Sequence, residues 1–230
     1  MLAILKREFK NYLLSPIGYV FVGLFLLMFS IFFLITIFQY RAVNFEYLFY
    51  NGATILTFVV PVLTMRMFSE ERKNGTEQLL LTSPRSITAI VLGKFFAAVL
   101  VMFITCIFTL MYFAILKYFG NPSFMVALTT IGGFLLLSIA YISFGMFASS
   151  LTENQIIASV LTIGAFIAMW FLPSLDIGIS EILKQFSLIN MFDKFPTGVI
   201  SLPEVFTFVS FSILFILLTI IVLQRRKSIK

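Results

Sequence analysis

Charged residues are scarce in this sequence. They make up 11% of the 230-residue chain, whereas soluble domains contain about 25%. Hydrophobic residues make up 60%. So little polar surface could not cover a globule in water, which argues against a soluble protein. We predict an integral membrane protein, because runs such as 118–152 contain no charged residue and about 20 apolar residues are enough to cross a bilayer.

Several kinds of reactive group are also missing. Histidine is absent and the only cysteine is Cys106, which excludes an HExxH zinc site and an intrachain disulfide. The sequence contains neither of the glycine-rich motifs that bind nucleotide phosphates, G-x-x-x-x-G-K-[ST] and G-x-G-x-x-G. No Asp or Glu lies in the middle of a predicted span, which disfavours proton coupling and leaves sodium coupling open. We therefore predict no cofactor and no enzymatic activity in this chain, so another polypeptide would supply the energy for uphill transport.

The apolar runs predict an all-α fold with six transmembrane helices in one domain, residues 1–230. The spans are expected at 16–38, 48–68, 87–116, 124–150, 155–172 and 204–223. Residues 1–14 precede them and have the pattern of an amphipathic helix lying on the membrane. Its predicted apolar face comprises Leu2, Leu5, Phe9, Tyr12 and Leu13, and its polar face comprises Lys6, Arg7, Glu8, Lys10 and Asn11.

Basic residues orient the chain. With both termini in the cytoplasm, the outer segments hold only Arg41, Lys117, Lys184 and Lys194 of the sixteen Lys and Arg residues. This asymmetry follows the positive-inside rule. It predicts a multi-pass protein with both termini cytoplasmic. The net charge of +6 is then explained by orientation against anionic lipid, and we expect no nucleic-acid partner.

The loop at 69–85 has the densest charge in the chain. Gly75 is expected to end the helix that continues from the second span, and Thr76 to begin a short helix that ends before Pro84. Leucines 79–81 on that helix either form a docking surface for another protein or pack on the membrane surface. Arg66, just before the loop, is expected to extend into the headgroup region, and an ion pair with Glu70 is the alternative.

Residues 173–203 are predicted to form two short helices at the outer face that are partly re-entrant. Pro173 and Pro203 separate this segment from the adjoining spans. An apolar stripe at i, i+3, i+4 and i+7 motivates the first helix and consists of Ile179, Ile182, Leu183 and Phe186. Pro196 and Gly198 are expected to bend the second.

The stretch MFSEERKNGTEQLLLTSPRSITAIVLGK, residues 67–94, resembles the coupling region of ABC-2 type permeases. Its pattern is F-x-E-E-x-x-x-G-T-x-E-x-L-L-x-(T/S)-x-P followed by I-V-x-G-K. REFKNYLLSPIGYVF (7–21), SSLTENQIIASVL (149–161) and FDKFPTGVIS (192–201) are similar to further parts of the same family. The subgroup it resembles contains the gliding-motility and copper-enzyme-maturation permeases (the GldF and NosY types). Residues 197–201 depart from the subgroup, because TGVIS stands where its members often carry RGVID.

The resemblance implies an ABC transporter subunit, an exporter, in a bacterial inner membrane. Two such permeases, identical or different, would pair, and each would dock on a cytoplasmic ATPase subunit that binds ATP and magnesium. Residues 1–14 would be the elbow helix. The ATPase-coupling residues would be Glu70, Glu71, Arg72, Gly75, Thr76, Glu77, Leu79 and Leu80. Residues 173–203 would close the outward end of the path, with Ile179, Ile182, Leu183 and Phe186 as an outer gate.

Two alternatives to an ABC permease stay open from the sequence. One is an ATP-independent secondary transporter or channel. The other is a membrane scaffold of a motility or secretion assembly that transports nothing. The residues lining the spans are apolar or hydroxylic, and they do not identify a substrate.

Overall fold

The computed structural model describes residues 1–40, 45–81, 85–120, 122–171 and 187–229. Within these ranges the chain is helical with short connections and has no strand, which confirms the all-α prediction. The helices are α1 Leu2–Leu14, α2 Pro16–Tyr40, α3 Phe45–Thr64, α4 Ser69–Lys73, α5 Glu77–Leu81, α6 Ile87–Phe119, α7 Phe124–Leu151, α8 Gln155–Phe171, α9 Leu188–Phe192 and α10 Leu202–Ile229, with a 3-10 helix at Phe195–Thr197.

Five helical stretches of the described chain are long and apolar enough to cross a membrane. They are Pro16–Phe38, Phe45–Lys73, Ile87–Tyr118, Phe124–Leu151 and Leu202–Ser228. The helix at the predicted fifth span, α8, is apolar but has only 17 described residues, and residues 172–186 lie outside the described ranges. The chain is therefore a multi-pass membrane protein. The sixth span and the division into one domain stay predictions.

Helix α7 lies at the centre and packs against α3, α6, α8, α10 and the 3-10 helix. Two of its glycines allow this close approach. A Cβ at Gly133 would lie 2.5 Å from the Cβ of Phe195, and a Cβ at Gly145 would overlap Thr64 of α3. Small residues allow helices to pack this closely. The fold requires glycine at Gly133 and Gly145 but not at Gly132, where a Cβ would have no described neighbour within 4 Å.

Phenylalanine side chains fill the space between α2, α3 and α7. The ring centroids of Phe25 and Phe29 are 4.5 Å apart, and those of Phe29 and Phe49 are 5.3 Å apart. Phe134 of α7 meets Phe49 edge-on at 5.0 Å. Such offset and edge-on pairs are favourable beyond the area they bury. Because no strong hydrophobic force draws helices together in lipid, this packing helps to determine how they associate.

The predicted amphipathic helix is present as α1, but its buried face differs from the prediction. Glu8 was expected on the polar face and is buried. Leu2 and Leu13, which were expected to face the membrane, are exposed. Ile4, which the prediction left out, packs against the core. Glu8 is buried because it pairs with Lys94 of α6, as described below. That α1 is an elbow helix of a transporter stays a prediction.

Part of the 173–203 segment is described. Helix α9 and the 3-10 helix lie in its second half, and Gly198 takes the left-handed conformation with φ +83°, which produces the bend expected there. The predicted gate residues Ile179, Ile182, Leu183 and Phe186 lie outside the described residues. The gate therefore stays a prediction.

Candidate functional site

The I-V-x-G-K motif lets α1 lie directly against α6. A Cβ at Gly93 would come within 2.8 Å of Ile4 Cγ2 and 3.4 Å of the Leu5 nitrogen, so only glycine fits without a shift of α1. Ser86 precedes α6 and caps it, because its hydroxyl oxygen accepts a hydrogen bond from the Ala89 N–H at 3.3 Å. Lys94 follows Gly93 in the motif. The close approach of α1 to α6 at Gly93 therefore places Lys94 beside the polar residues of α1.

Lys94 is buried with 4% of its side chain exposed, and two carboxylates surround it. Its Nζ lies 2.8 Å from Glu71 Oε1 and 3.3 Å from Glu8 Oε2. The Arg7 guanidinium is 2.6 Å from the other Glu8 oxygen, Oε1. We call these four residues the Lys94 cluster. It connects α1, α4 and α6, since each helix contributes at least one charge.

The charges of the Lys94 cluster offset the cost of burying Glu8. Burial raises the pKa of Glu8, but Lys94 and the Arg7 hydrogen bond together hold that pKa below its ordinary value. Glu8 is therefore ionised at neutral pH. A lowered carboxyl pKa means that Glu8 contributes stability above its unfolded pKa of about 4, and that this stability is lost as the pH falls through the folded value.

A serine of α7 holds the turn between α3 and α4. Ser149 Oγ accepts hydrogen bonds from the backbone N–H groups of Phe68 and Ser69, at 3.1 Å and 3.2 Å, and donates to the Met65 carbonyl at 2.9 Å. The first turn of a helix has N–H groups without an intrahelical partner. Ser149 of α7 accepts a hydrogen bond from one of these groups in α4, the Ser69 N–H, so the start of α4 is fixed to the end of α7.

Two arginines attach the 69–81 segment to the ends of other helices. Arg72 Nε lies 2.8 Å from Glu153, which follows α7, and Arg72 also donates to the Leu151 carbonyl at 3.2 Å. Arg226 of α10 lies 3.0 Å from Glu77 and donates to the Ser150 carbonyl. The segment therefore contacts α7 and α10 as well as the Lys94 cluster.

Arg66 forms an ion pair with Glu70, the alternative to extension into the headgroup region. Its Nε donates to Glu70 Oε2 at 2.6 Å, with a second contact between the guanidinium and Oε1. The prediction that Arg66 extends into the headgroup region in preference to this ion pair is therefore wrong. Helix α4 begins at Ser69 and continues in the direction of α3, so Glu70 lies one turn beyond Arg66. The Glu70 carboxylate is therefore within hydrogen-bonding distance of the Arg66 guanidinium.

The structure places most of the predicted coupling residues in this region. Glu70, Glu71, Arg72 and Glu77 all pair within the chain, as described above. Gly75 ends α4 with φ +71°, and the Thr76 hydroxyl donates to the Glu71 carbonyl at 3.2 Å. Leu79 and Leu80 lie in α5, and Leu79 is 73% exposed.

Sequence reasoning missed six members of this site: Arg7, Glu8, Lys94, Ser149, Glu153 and Arg226. Lys94 is the last residue of the I-V-x-G-K motif, and its place in that motif was the signal that could have identified it as a site residue. Each of the other five makes at least one contact with a residue that is distant in the sequence. Among the described residues, no group of three His, Cys, Asp or Glu side chains could hold a metal ion.

The family of the chain follows from its similarity to known proteins. The family described as ABC-2 family transporter protein matches residues 38–223, which is most of the chain. The chain belongs to the ABC-2 transporter family. It is therefore a permease component of an ABC transporter, a membrane transport component that associates with an ABC ATPase. No curated protein matches the chain.

Proposed function

We propose that this ABC-2 permease forms the substrate path of an exporter and is driven by ATP hydrolysis in a separate cytoplasmic subunit. The observation that carries the proposal is the set of contacts of the 69–81 segment. Through Glu71, Arg72 and Glu77 it is joined to α6, α7 and α10. If a bound ATPase displaced this segment, its contacts would therefore transmit the movement to α6, α7, α10 and α1 together.

The docking face in this proposal is the exposed side of α5. Leu79 is a large apolar side chain, exposed next to charged residues that are already paired within the chain. Apolar anchors surrounded by polar groups are typical of protein interfaces. The resemblance to ABC-2 permeases supports two permeases with two ATPase subunits. It also supports the gliding-motility and copper-enzyme-maturation subgroup and a bacterial inner membrane.

Replacing Leu79 with aspartate is expected to release the ATPase subunit. A charge buried at a docking face costs about 2–5 kcal/mol, and each 1.4 kcal/mol is tenfold in affinity. We expect the amount of ATPase that co-purifies with the tagged chain to fall at least tenfold. Leu79→Met keeps the apolar surface and is the matched control, expected to retain the subunit. Wild-type recovery with Leu79→Asp, at equal membrane insertion, would show that α5 is not the docking face.

We also propose six spans with both termini in the cytoplasm. Reporter fusions after Gly120 and near Lys184 are expected to report an outer location, and a fusion near Gly75 an inner one. The support is the asymmetry of basic residues, since Lys and Arg next to spans are retained on the cytoplasmic side. A cytoplasmic signal near Lys184 would contradict the six-span topology, because residues 155–172 would then not cross the membrane.

A further inference from the structure

A serine of α7 interrupts the helical path between α3 and α4. In an uninterrupted helix the Ser69 N–H would donate to the carbonyl four residues before it, on Met65. Here the Ser149 hydroxyl lies between these two groups, since it accepts from the Ser69 N–H at 3.2 Å and donates to the Met65 carbonyl at 2.9 Å. It also accepts from the Phe68 N–H at 3.1 Å. A side chain inserted into the backbone hydrogen bonds in this way bends or breaks a helix.

The insertion uses the full hydrogen-bonding capacity of the Ser149 hydroxyl. A hydroxyl has one O–H donor and two acceptor lone pairs, and here each of the three has a partner. Ser149 is fully buried. The Ser69 hydroxyl donates to the same Met65 carbonyl from the other side of the turn. The contact therefore joins α7 to the backbone of the α3–α4 turn and does not depend on two flexible side chains.

Other buried serines of α7 bond differently. Ser150 is also fully buried, and its hydroxyl donates to the Phe147 carbonyl of its own helix. Ser138 and Ser143 likewise donate to carbonyls of α7. The Ser149 hydroxyl is oriented away from its own helix and bonds to the turn. Burial alone therefore does not explain its contacts.

A glycine brings α7 close enough to α3 for this insertion. Gly145 lies one turn before Ser149 on the same face of α7. A Cβ at Gly145 would lie 2.2 Å from the Oγ1 of Thr64, the last residue of α3. The ion pair between α4 and the end of α7 is looser, because the side chains of Arg72 and Glu153 are 28% and 60% exposed. The inserted serine is therefore the tighter of these two links.

We propose that Ser149 is a positioning residue for energy coupling, which makes the 69–81 segment and α7 move as one unit. Its Oγ is one carbon atom away from the α7 backbone. The first turn of α4 therefore cannot shift relative to α7 without breaking three buried hydrogen bonds. An ATPase that displaced the segment would move α7 with it. The role in coupling rests on the proposed function, whereas the joint itself can be tested in the free chain.

The joint is tested in the purified full-length chain without an ATPase subunit. Spin-labelled cysteines replace Lys73 on α4 and Leu128 near the opposite end of α7, both exposed, in a Cys106→Ala background. Ser149→Ala should widen the distribution of distances between the labels by about twofold or more, because buried N–H groups that lose their partner open locally. Ser150→Ala removes an equally buried hydroxyl and should keep the wild-type width. Equal widths in the two variants would overturn the proposal.

Movement as one unit is tested in the wild-type complex with its ATPase subunit. When a non-hydrolysable ATP analogue binds, the distance from Lys73 to the exposed Leu27 of α2 should change, while the distance from Lys73 to Leu128 stays constant. A comparable change in both distances would overturn the proposal. This measurement leaves Ser149 unchanged, so it decides the proposal even if Ser149→Ala does not fold. If neither distance changes, the ATPase coupling itself is contradicted, and the free-chain widths still show whether Ser149 holds the joint.

The rate of ATP hydrolysis separates coupling from docking. In the complex with Ser149→Ala, the rate should return to that of the free ATPase subunit. The amount of subunit that co-purifies should stay within about twofold of wild type, because the exposed side of α5 is unchanged. Ser150→Ala should keep both the wild-type rate and the subunit. A wild-type rate in the Ser149→Ala complex would overturn the role of Ser149 in coupling.

Discussion

Replacing Lys94 with methionine is expected to destabilise the protein strongly and to separate α1 from the bundle. The change leaves buried Glu8 and half-buried Glu71 with Arg7 as the one remaining cation of the Lys94 cluster. Removing one partner of a buried ion pair costs about 3–5 kcal/mol, and the loss here should lie near the lower value because Arg7 still compensates part of the charge. The midpoint of thermal unfolding in detergent should fall by about 10 °C.

Arg72→Met is the matched control for Lys94→Met. It also removes a cation that pairs with a carboxylate, but the side chains of Arg72 and Glu153 are 28% and 60% exposed. Exposed pairs contribute about 1 kcal/mol or less. Adding Glu8→Gln and Glu71→Gln to Lys94→Met should recover much of the lost stability, because neither carboxylate then stays buried without its lysine. Equal losses for Lys94→Met and Arg72→Met would contradict the structural importance of the Lys94 cluster.

Gly133→Leu is expected to prevent close packing of α7 on the segment before α10. The new Cβ would lie 2.5 Å from Phe195 Cβ, and Phe195 is itself buried. Ring rotation cannot relieve this overlap, because the Phe195 Cβ is fixed to the backbone. Overpacking that forces the backbone to shift costs about 1–3 kcal/mol, and we expect the upper value here because two Cβ atoms overlap. The yield of monodisperse protein after size exclusion and the unfolding midpoint should both fall.

The neighbouring glycine provides the comparison for Gly133→Leu. A Cβ at Gly132 would meet no atom of the described residues within 4 Å, so Gly132→Leu adds apolar surface in open space. We expect it to change the free energy of unfolding by less than about 1 kcal/mol, in either direction. Similar losses for the two variants would mean that contact with Phe195 does not determine the effect, since helix propensity alone would favour leucine over glycine at both positions.

Local features of the fold could be predicted from the sequence. The third and fourth spans were expected at 87–116 and 124–150, and α6 and α7 are found at Ile87–Phe119 and Phe124–Leu151. Long apolar runs determine the spans, and Ser86 marks the start of α6 through its own hydrogen bond. Such signals depend only on neighbouring residues, so no tertiary contact is needed to interpret them.

The contacts of the candidate site could not be predicted in the same way. Glu8 was assigned to a solvent-exposed face because a helical pattern distinguishes apolar from polar residues but does not reveal a lysine on another helix. The pair of Glu77 with Arg226 joins the middle of the chain to its end, and only the packing of α10 beside α7 brings them together. The coupling residues themselves were predicted from the resemblance, and their contact with an ATPase stays a prediction.

The central claim is that this permease obtains its energy from a separate ATPase subunit, and ATP hydrolysis in lipid vesicles tests it most directly. Hydrolysis is measured for the chain alone, the ATPase subunit alone, and the reconstituted complex with wild-type chain or Leu79→Asp. We predict no hydrolysis by the chain alone, and a rate in the wild-type complex that differs from that of the free subunit and returns to it with Leu79→Asp. Hydrolysis by the chain alone, or a complex whose rate equals that of the free subunit, would contradict the account.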